Sequence, residues 1–292
     1  MLKKDDLLNS ALSKNYLNSM YAMRQPLYLQ NQTFLKLVGC NDNYDIKVVT
    51  MRNVRNSGIE CDDKKYSMRG SVNDTKLEES ISRAKRVIYE IARCNEWDFF
   101  ITLTVNSKKY DRTDLDKFHK DLTQWFRNYA KKHGIKIYFL LVPELHSDGK
   151  SWHMHGLIKG IPLHLLKQFK IGDTMGKVLA DKVKNGDIVY NWLDYMNKFG
   201  FCDLEPIRSY DGVSKYITKY INKELASSVK KLNAHLYYCS RGLSRALTVK
   251  KGTMKKGTLP FDIVPDFEND YCSISSYPYD DTLFDSLLSS ID

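Results

Sequence analysis

The sequence predicts an α+β fold in which antiparallel strands are layered against helices. Three observations lead to this prediction: a β-rich run at about 97–105, a long amphipathic stretch after it, and two further β-rich runs on either side of the short turn "HSDGK". The chain has 292 residues, of which 42% are apolar and 12% aromatic. This length and composition allow one large domain with extensions, or two small domains.

The first predicted elements are two helices with a strand between them. "TKLEESISRAKRVIYEIARCN" is amphipathic, because its apolar residues recur at helical spacing: Leu77, Ile81, Ala84, Ile88 and Ile91. "WDFFITLTV" is rich in β-branched and aromatic residues and predicts a strand. The stretch that begins "DRTDLDKF" ends at Gly134 and repeats the helical spacing at Leu115, Phe118, Leu122, Trp125, Phe126 and Tyr129.

The next two elements are strands that must lie side by side. "IKIYFLLVPEL" and "WHMHGLIKG" have strand composition, and the short turn between them requires antiparallel pairing. Beyond them the pattern predicts helices at 163–170 and 188–198, a strand at "FCDLEPI", a helix at "GVSKYITKYINKELAS" and a strand at "AHLYYCSRGL".

The charge of the chain is distributed unevenly. The formal net charge is +10, yet eight acidic residues and no Lys or Arg follow from Phe261 onward. By subtraction the preceding body carries about +18. A body of this charge favours a polyanionic partner such as nucleic acid, although a Lys-rich surface that only keeps the chain soluble explains the charge equally well.

Cysteine and hydropathy patterns exclude several classes of protein. The six cysteines are scattered without a CxxC pair, so neither a cysteine zinc site nor a disulfide framework is expected. The chain begins without a signal-peptide pattern, and no run of 18 apolar residues predicts a membrane span. We therefore expect a cytoplasmic protein that has no membrane partner.

Two of the seven histidines stand in one predicted strand, at His153 and His155. Alternate residues of a strand face the same side, so both imidazoles can chelate one divalent ion. A third ligand is expected from the neighbouring strand, either Glu144 or His146. A His-His-carboxylate set suits Mn²⁺ or Mg²⁺ when water and phosphate oxygens complete the shell. Two packed or surface histidines without a metal are the alternative.

A pair of tyrosines follows about sixty residues later, in "YITKYINK". Tyr216 and Tyr220 lie four apart, so they share one face of a helix, and Lys219 and Lys223 repeat the same offset. A tyrosine that attacks a phosphodiester forms a reversible covalent phosphotyrosine, and two tyrosines allow a relay between DNA ends. Amphipathic core packing is the alternative explanation of the pair.

Together these stretches resemble the HUH endonuclease superfamily, in particular the two-tyrosine initiators of rolling-circle replication in small single-stranded DNA phages and some plasmids. The resemblance rests on three motifs in order: "FFITLT" (99–104), "HMHG" with the upstream Glu144, and "YITKYINK". It spans roughly 95–245. It implies a central antiparallel five-stranded sheet flanked by helices, which is an RRM-like arrangement.

The resemblance also implies an activity and a set of site residues. It implies site-specific nicking and joining of single-stranded or supercoiled origin DNA through a 5′-phosphotyrosine, with Mg²⁺ or Mn²⁺ as cofactor. Tyr216, Tyr220, Lys219 and Lys223 would be catalytic, and Glu144, His153 and His155 would hold the metal. "YYCSRGL" is similar to a stretch of phage-type initiators, and its Arg241 would contact DNA. Since the chain has no Walker A motif, a host helicase and polymerase are expected partners in the host cytoplasm.

The expected organisation is an N-terminal extension at 1–85 that serves DNA recognition or is helical, an endonuclease domain at 86–250, and an acidic C-terminal tail at 251–292. Two other functions stay open. One is an HUH relaxase or transposase, although a relaxase normally carries its tyrosine before the histidines. The other is a nucleic-acid-binding protein that does not cut.

Overall fold

The computed structural model describes residues 31–52, 74–222, 225–226, 228, 235–255, 263–269 and 271–292. These residues form two compact units. The first unit combines described residues of 1–66 with those of 245–292, and the second unit consists of described residues of 67–244. Each unit is built around its own antiparallel sheet.

The elements are numbered in chain order. The strands are β1 Gln32–Cys40, β2 Asn43–Met51, β3 Phe99–Thr104, β4 Tyr138–Leu145, β5 Trp152–Lys159, β6 Lys167–Gln168, β7 Tyr190–Asn191, β8 Cys202–Pro206, β9 Tyr238–Cys239, β10 Leu247–Thr253, β11 Phe267–Glu268 and β12 Cys272–Pro278. The helices are α1 Asp74–Arg93, α2 Leu115–His133, α3 Lys177–Lys184, α4 Leu193–Lys198, α5 Tyr210–Ile217 and α6 Asp281–Ser289, with 3₁₀ turns at Leu163–Leu165 and Thr218–Tyr220. Within the described ranges, no helix has both the length and the apolar character that crossing a membrane requires.

The first unit contains a five-stranded sheet in the order β10-β1-β2-β12-β11. Its first two strands form a hairpin whose turn residues, Asn41 and Asp42, have φ of 49° and 59°. A two-residue type I′ turn requires such positive values, which Asn and Asp tolerate better than most residues. Leu35 and Ile46 of this hairpin are fully buried in one cluster with Phe284 of α6.

This organisation differs from the extension and the acidic tail that the sequence predicted. β10 pairs with β1, and β12 pairs with β2, so segments from both ends of the chain complete one sheet. The helix α6 lies within the expected tail and is capped by Asp280, whose side chain accepts a hydrogen bond from the amide of Leu283. Phe284 and Leu287, three residues apart, bury the apolar face of this acidic helix.

The second unit confirms the α+β class with an antiparallel sheet, but the sheet is not the five-stranded one that we expected. Its order is β6-β7-β8-β3-β5-β4-β9. Strands β8, β3, β5 and β4 have five to eight residues, whereas β6, β7 and β9 have two each. The histidine strand β5 pairs with β3 on one side and β4 on the other.

Helix α2 packs into the apolar core of the second unit, as its spacing predicted. Its side chains Leu115, Phe118, Leu122, Phe126 and Tyr129 are buried, and the ring of Phe126 lies 5.2 Å from that of Phe139 on β4. Asp114 caps the start of the helix by accepting from the amide of Lys117. Gly134 ends it with φ of 65°, the left-handed conformation that favours glycine.

Three of the weaker local predictions need correction. The helix expected at 163–170 is a 3₁₀ turn followed by β6, and the helix expected at 188–198 begins only after the short strand β7. The helix α3 was not predicted, because its eight residues carry too short a pattern.

The tyrosine helix α5 is also shorter than its pattern predicted, since Ile221 is extended after the 3₁₀ turn. The Thr218 hydroxyl donates to the carbonyl of Lys215, and Asn222 accepts from the amide of Leu225. These two side chains satisfy backbone groups locally and so interrupt the helix.

Candidate functional site

The strand register brings the two histidines and Glu144 together on one face of the sheet. Glu144 of β4 lies opposite His153 of β5, and paired residues of adjacent strands point to the same side. His155 follows two residues later and therefore shares this side. On β3, Thr104 lies opposite His153 and Thr102 lies opposite His155.

The three side chains converge on a single point. Nε2 of His153 and Nε2 of His155 each lie 2.7 Å from the same oxygen, Oε2 of Glu144. Both contacts stabilise the carboxylate and lower the pKa of Glu144 to about 2, against the effect of burial. Because the carboxylate is ionised, both nitrogens donate to it.

This arrangement fits a divalent cation. Among the described residues, Glu144, His153 and His155 form the group whose ligand atoms all lie within 4.8 Å of one another. One cation could replace the two protons that now bridge the imidazoles to the carboxylate. His146, the alternative third ligand, is exposed in the turn and outside this group, and its Nδ1 lies 3.2 Å from the hydroxyl of Ser147.

The orientation of His155 is set by neighbours on two sides. The Thr102 hydroxyl lies 3.4 Å from Nδ1 of His155, so Nε2 is left to face Glu144. The ring of Tyr220 stacks on the imidazole at 4.3 Å between centroids, with the planes 11° apart. The ring of Phe100 lies 6.1 Å from the same imidazole. A metal-ligating histidine usually has such a partner on its second nitrogen.

The two tyrosines lie beside this cluster and contact each other. The hydroxyl of Tyr220 donates to that of Tyr216 across 3.0 Å, and the rings are nearly perpendicular at 5.6 Å. Tyr216 is 44% exposed. Burial raises the pKa of Tyr220, as do the hydrogen bond to Tyr216 and the charges of Tyr216, Glu144 and Asp203. Tyr220 is therefore the neutral donor of the pair.

The remaining predicted site residues have different placements. The ammonium of Lys219 lies 5.1 Å from the ring centroid of Tyr216, within the range of a cation–π contact. Lys223 lies outside the described residues. Arg241 is exposed in the turn after β9, and no described contact joins it to the histidines or the tyrosines.

Two carboxylates near the tyrosines were not predicted from the sequence. Asp203 of β8 lies opposite Thr102, and a hydrogen bond from Thr102 stabilises its charge, yet burial and the charge of Glu205 raise its pKa to about 6. Glu205 pairs with Lys182 of α3 at 2.7 Å. The available signal was the alternation in "CDLEP", where Cys202 and Leu204 are buried on one face and both acids lie on the other.

A family model of replication-associated proteins, described as the ORF2 type, matches residues 98–225. The matched segment is less than half of the chain, and it contains Glu144, His153, His155 and both tyrosines but not Arg241. No curated protein and no solved structure matches the chain. The match supports a replication initiator family and, with it, a role at origin DNA.

Proposed function

We propose that this chain is an HUH-type replication initiator of the two-tyrosine kind, which nicks and rejoins origin DNA through a covalent 5′-phosphotyrosine and so starts rolling-circle replication. One observation carries the proposal. The imidazole of His155 contacts the carboxylate of Glu144 through Nε2 and the ring of Tyr220 through its face. The metal-ligand candidates and the candidate nucleophiles are therefore in direct contact, within the segment that the family model matches.

Glu144, His153 and His155 would hold Mg²⁺ or Mn²⁺. When bound, the cation would act as a Lewis acid on the scissile phosphate and orient it. Thr102 holds His155 so that Nε2 faces the site. The low pKa of Glu144 keeps its charge available at neutral pH.

Tyr220 is the first nucleophile in this proposal, because its ring lies against His155. Its phenol oxygen forms a bond to phosphorus as the bond from phosphorus to the 3′ oxygen breaks. The proton of the phenol is balanced by the proton that the departing 3′ oxygen takes up as a hydroxyl. Tyr216, hydrogen-bonded to Tyr220, is placed to attack in the second transfer that closes the circle.

The lysines supply charge rather than proton transfer. Lys219 lies at the Tyr216 ring, where its ammonium would stabilise the negative phosphoryl group. Lys223 is proposed to do the same, and Arg241 to contact DNA at a distance from the cluster. Lysines elsewhere would add backbone affinity that decreases steeply with salt. A host helicase and polymerase remain predicted partners.

The test is adduct formation. The full chain is incubated with supercoiled or single-stranded origin DNA and Mn²⁺, and the products are resolved on a denaturing gel. We expect a protein–DNA adduct that is absent from the Tyr216→Phe/Tyr220→Phe double variant, while DNA binding is retained. Tyr271→Phe, at a 67% exposed position of the first unit, is the control and should form the adduct normally.

The same gel separates this proposal from its alternatives. His153→Ala should lose metal-dependent cleavage, whereas the exposed His164→Ala should keep it. A nick without any adduct would indicate a hydrolase that activates water. Binding with neither nick nor adduct would indicate a nucleic-acid-binding protein, and an adduct on the double variant would reveal another nucleophile.

A further inference from the structure

A cavity of about 380 Å³ lies on the side of the tyrosines where β3 and β8 meet the start of α3. This volume is at the small end of ligand sites. The cavity shares His155, Tyr216 and Tyr220 with the candidate metal and tyrosine site, and Thr102, Asp203 and Glu205 also line it. The cavity is therefore adjacent to the reacting groups but has chemistry of its own.

Apolar side chains line one part of the cavity. Phe100 and Tyr216 contact each other edge to face, with ring centroids 5.4 Å apart. Val178 of α3 is 74% exposed and lines the same cavity. An exposed aliphatic side chain and an exposed ring that flank one cavity favour a flat apolar occupant.

Carboxylates line another part of it. Asp203 and Glu205 are i and i+2 on β8, so their side chains share a face, and both line the cavity. Carboxylates accept hydrogen bonds and repel phosphate. The occupant must therefore present N–H donors to them and carry any negative charge elsewhere, where the exposed Lys177 at the cavity is available.

We propose that this cavity binds the base of a nucleotide next to the scissile phosphate and selects a base with N–H donors on its Watson–Crick edge, guanine above all. A base has two apolar faces for stacking and a polar edge for recognition, which is how extruded bases are read. Guanine offers adjacent N1–H and N2–H donors, the pattern that a carboxylate accepts in a bidentate way. Thymine instead presents carbonyl oxygens on both sides of its one N–H, and these would face the carboxylates. The inference rests on the proposed function, since it takes single-stranded DNA as the substrate.

The test measures binding in EDTA, so that it requires no cleavage. A labelled short oligothymidylate is compared by fluorescence anisotropy with oligonucleotides in which one central thymine is replaced by guanine, cytosine or adenine. We expect the guanine oligonucleotide to bind at least about fivefold more tightly than oligothymidylate, the lower bound for a bidentate contact. Equal binding of all four oligonucleotides, or binding of none, would overturn the assignment.

Variants identify the groups responsible. Asp203→Asn with Glu205→Gln should abolish the guanine preference without weakening oligothymidylate binding, and the single Glu205→Gln serves if circular dichroism shows that the double variant does not fold. Val178→Ser, at an exposed position, should weaken all four oligonucleotides alike. Asp181→Asn, an exposed carboxylate of α3, is the matched control and should keep the preference. A preference that survives removal of both carboxylates would place recognition elsewhere.

The outcome is separable from that of the nicking proposal. A chain that prefers guanine and forms no adduct keeps this pocket and refutes the proposed chemistry. A chain that forms the tyrosine adduct and shows no base preference refutes the pocket alone.

Discussion

Replacing Thr102 by valine is expected to weaken divalent-metal binding by about tenfold. The Thr102 hydroxyl lies 3.4 Å from Nδ1 of His155, while Nε2 of that ring faces Glu144. The hydroxyl therefore favours the tautomer and the ring orientation in which Nε2 is free for the cation. Loss of such an outer partner lowers metal affinity by about 10–100-fold. The contact is long for a hydrogen bond, which places the effect at the lower end.

The assay is a Mn²⁺ titration of the full chain without DNA, followed by calorimetry or by the electron paramagnetic resonance of free Mn²⁺. Thr102→Ser keeps the hydroxyl and should restore affinity. Thr104→Val is the matched control, because Thr104 lies opposite His153 on the same strand and has no described hydrogen bond to that histidine. If Thr102→Val binds Mn²⁺ as tightly as the unchanged chain, or if Thr104→Val weakens binding equally, the hydroxyl does not position His155.

Three further outcomes are expected. Gly156→Ala should destabilise the second unit by about 1–3 kcal/mol, because an added Cβ collides with the carbonyl oxygen of Leu140; an unchanged Tm by calorimetry would contradict this. Phe284→Ala should cost the first unit about 3–5 kcal/mol in urea unfolding, since the ring is 2% exposed, whereas the 51% exposed Phe267→Ala should cost little. In EDTA, the lowered pKa of Glu144 stabilises the fold above its ordinary pKa of 4.5, by about 1 kcal/mol after solvent screening. This contribution is lost as the pH falls toward about 2, and Glu144→Gln should remove that part of the acid unfolding curve.

The metal-ligand group could be predicted from the sequence because strand periodicity determines it. Once His153 and His155 are assigned to a strand and a short turn joins it to the preceding strand, the antiparallel register must bring a residue near Glu144 alongside them. The contact between His155 and Tyr220 is different. No local rule places a helix from sixty residues later against that strand, and only the ordered resemblance of the motifs predicted it.

Other features carry no readable local signal. Asp203 approaches Thr102 through pairing of β8 with β3, two segments about a hundred residues apart, so a lone acid in a short strand gave no indication of its surroundings. Strands of two residues, such as β6 and β9, are too short for a period. At the end of the chain, negative charge outweighed the apolar pair Phe284 and Leu287 in the interpretation, although that pair fixes α6 in a core.

The central claim is that the histidine pair and the tyrosine pair surround one cation, and paramagnetic broadening by Mn²⁺ tests it most directly. In a chain with isotope-labelled tyrosine rings, small additions of Mn²⁺ should broaden the resonances of Tyr216 and Tyr220 far more than that of Tyr129, which is buried on α2, and His153→Ala should abolish the effect. Broadening that spares Tyr216 and Tyr220, or that persists in His153→Ala, would contradict the account.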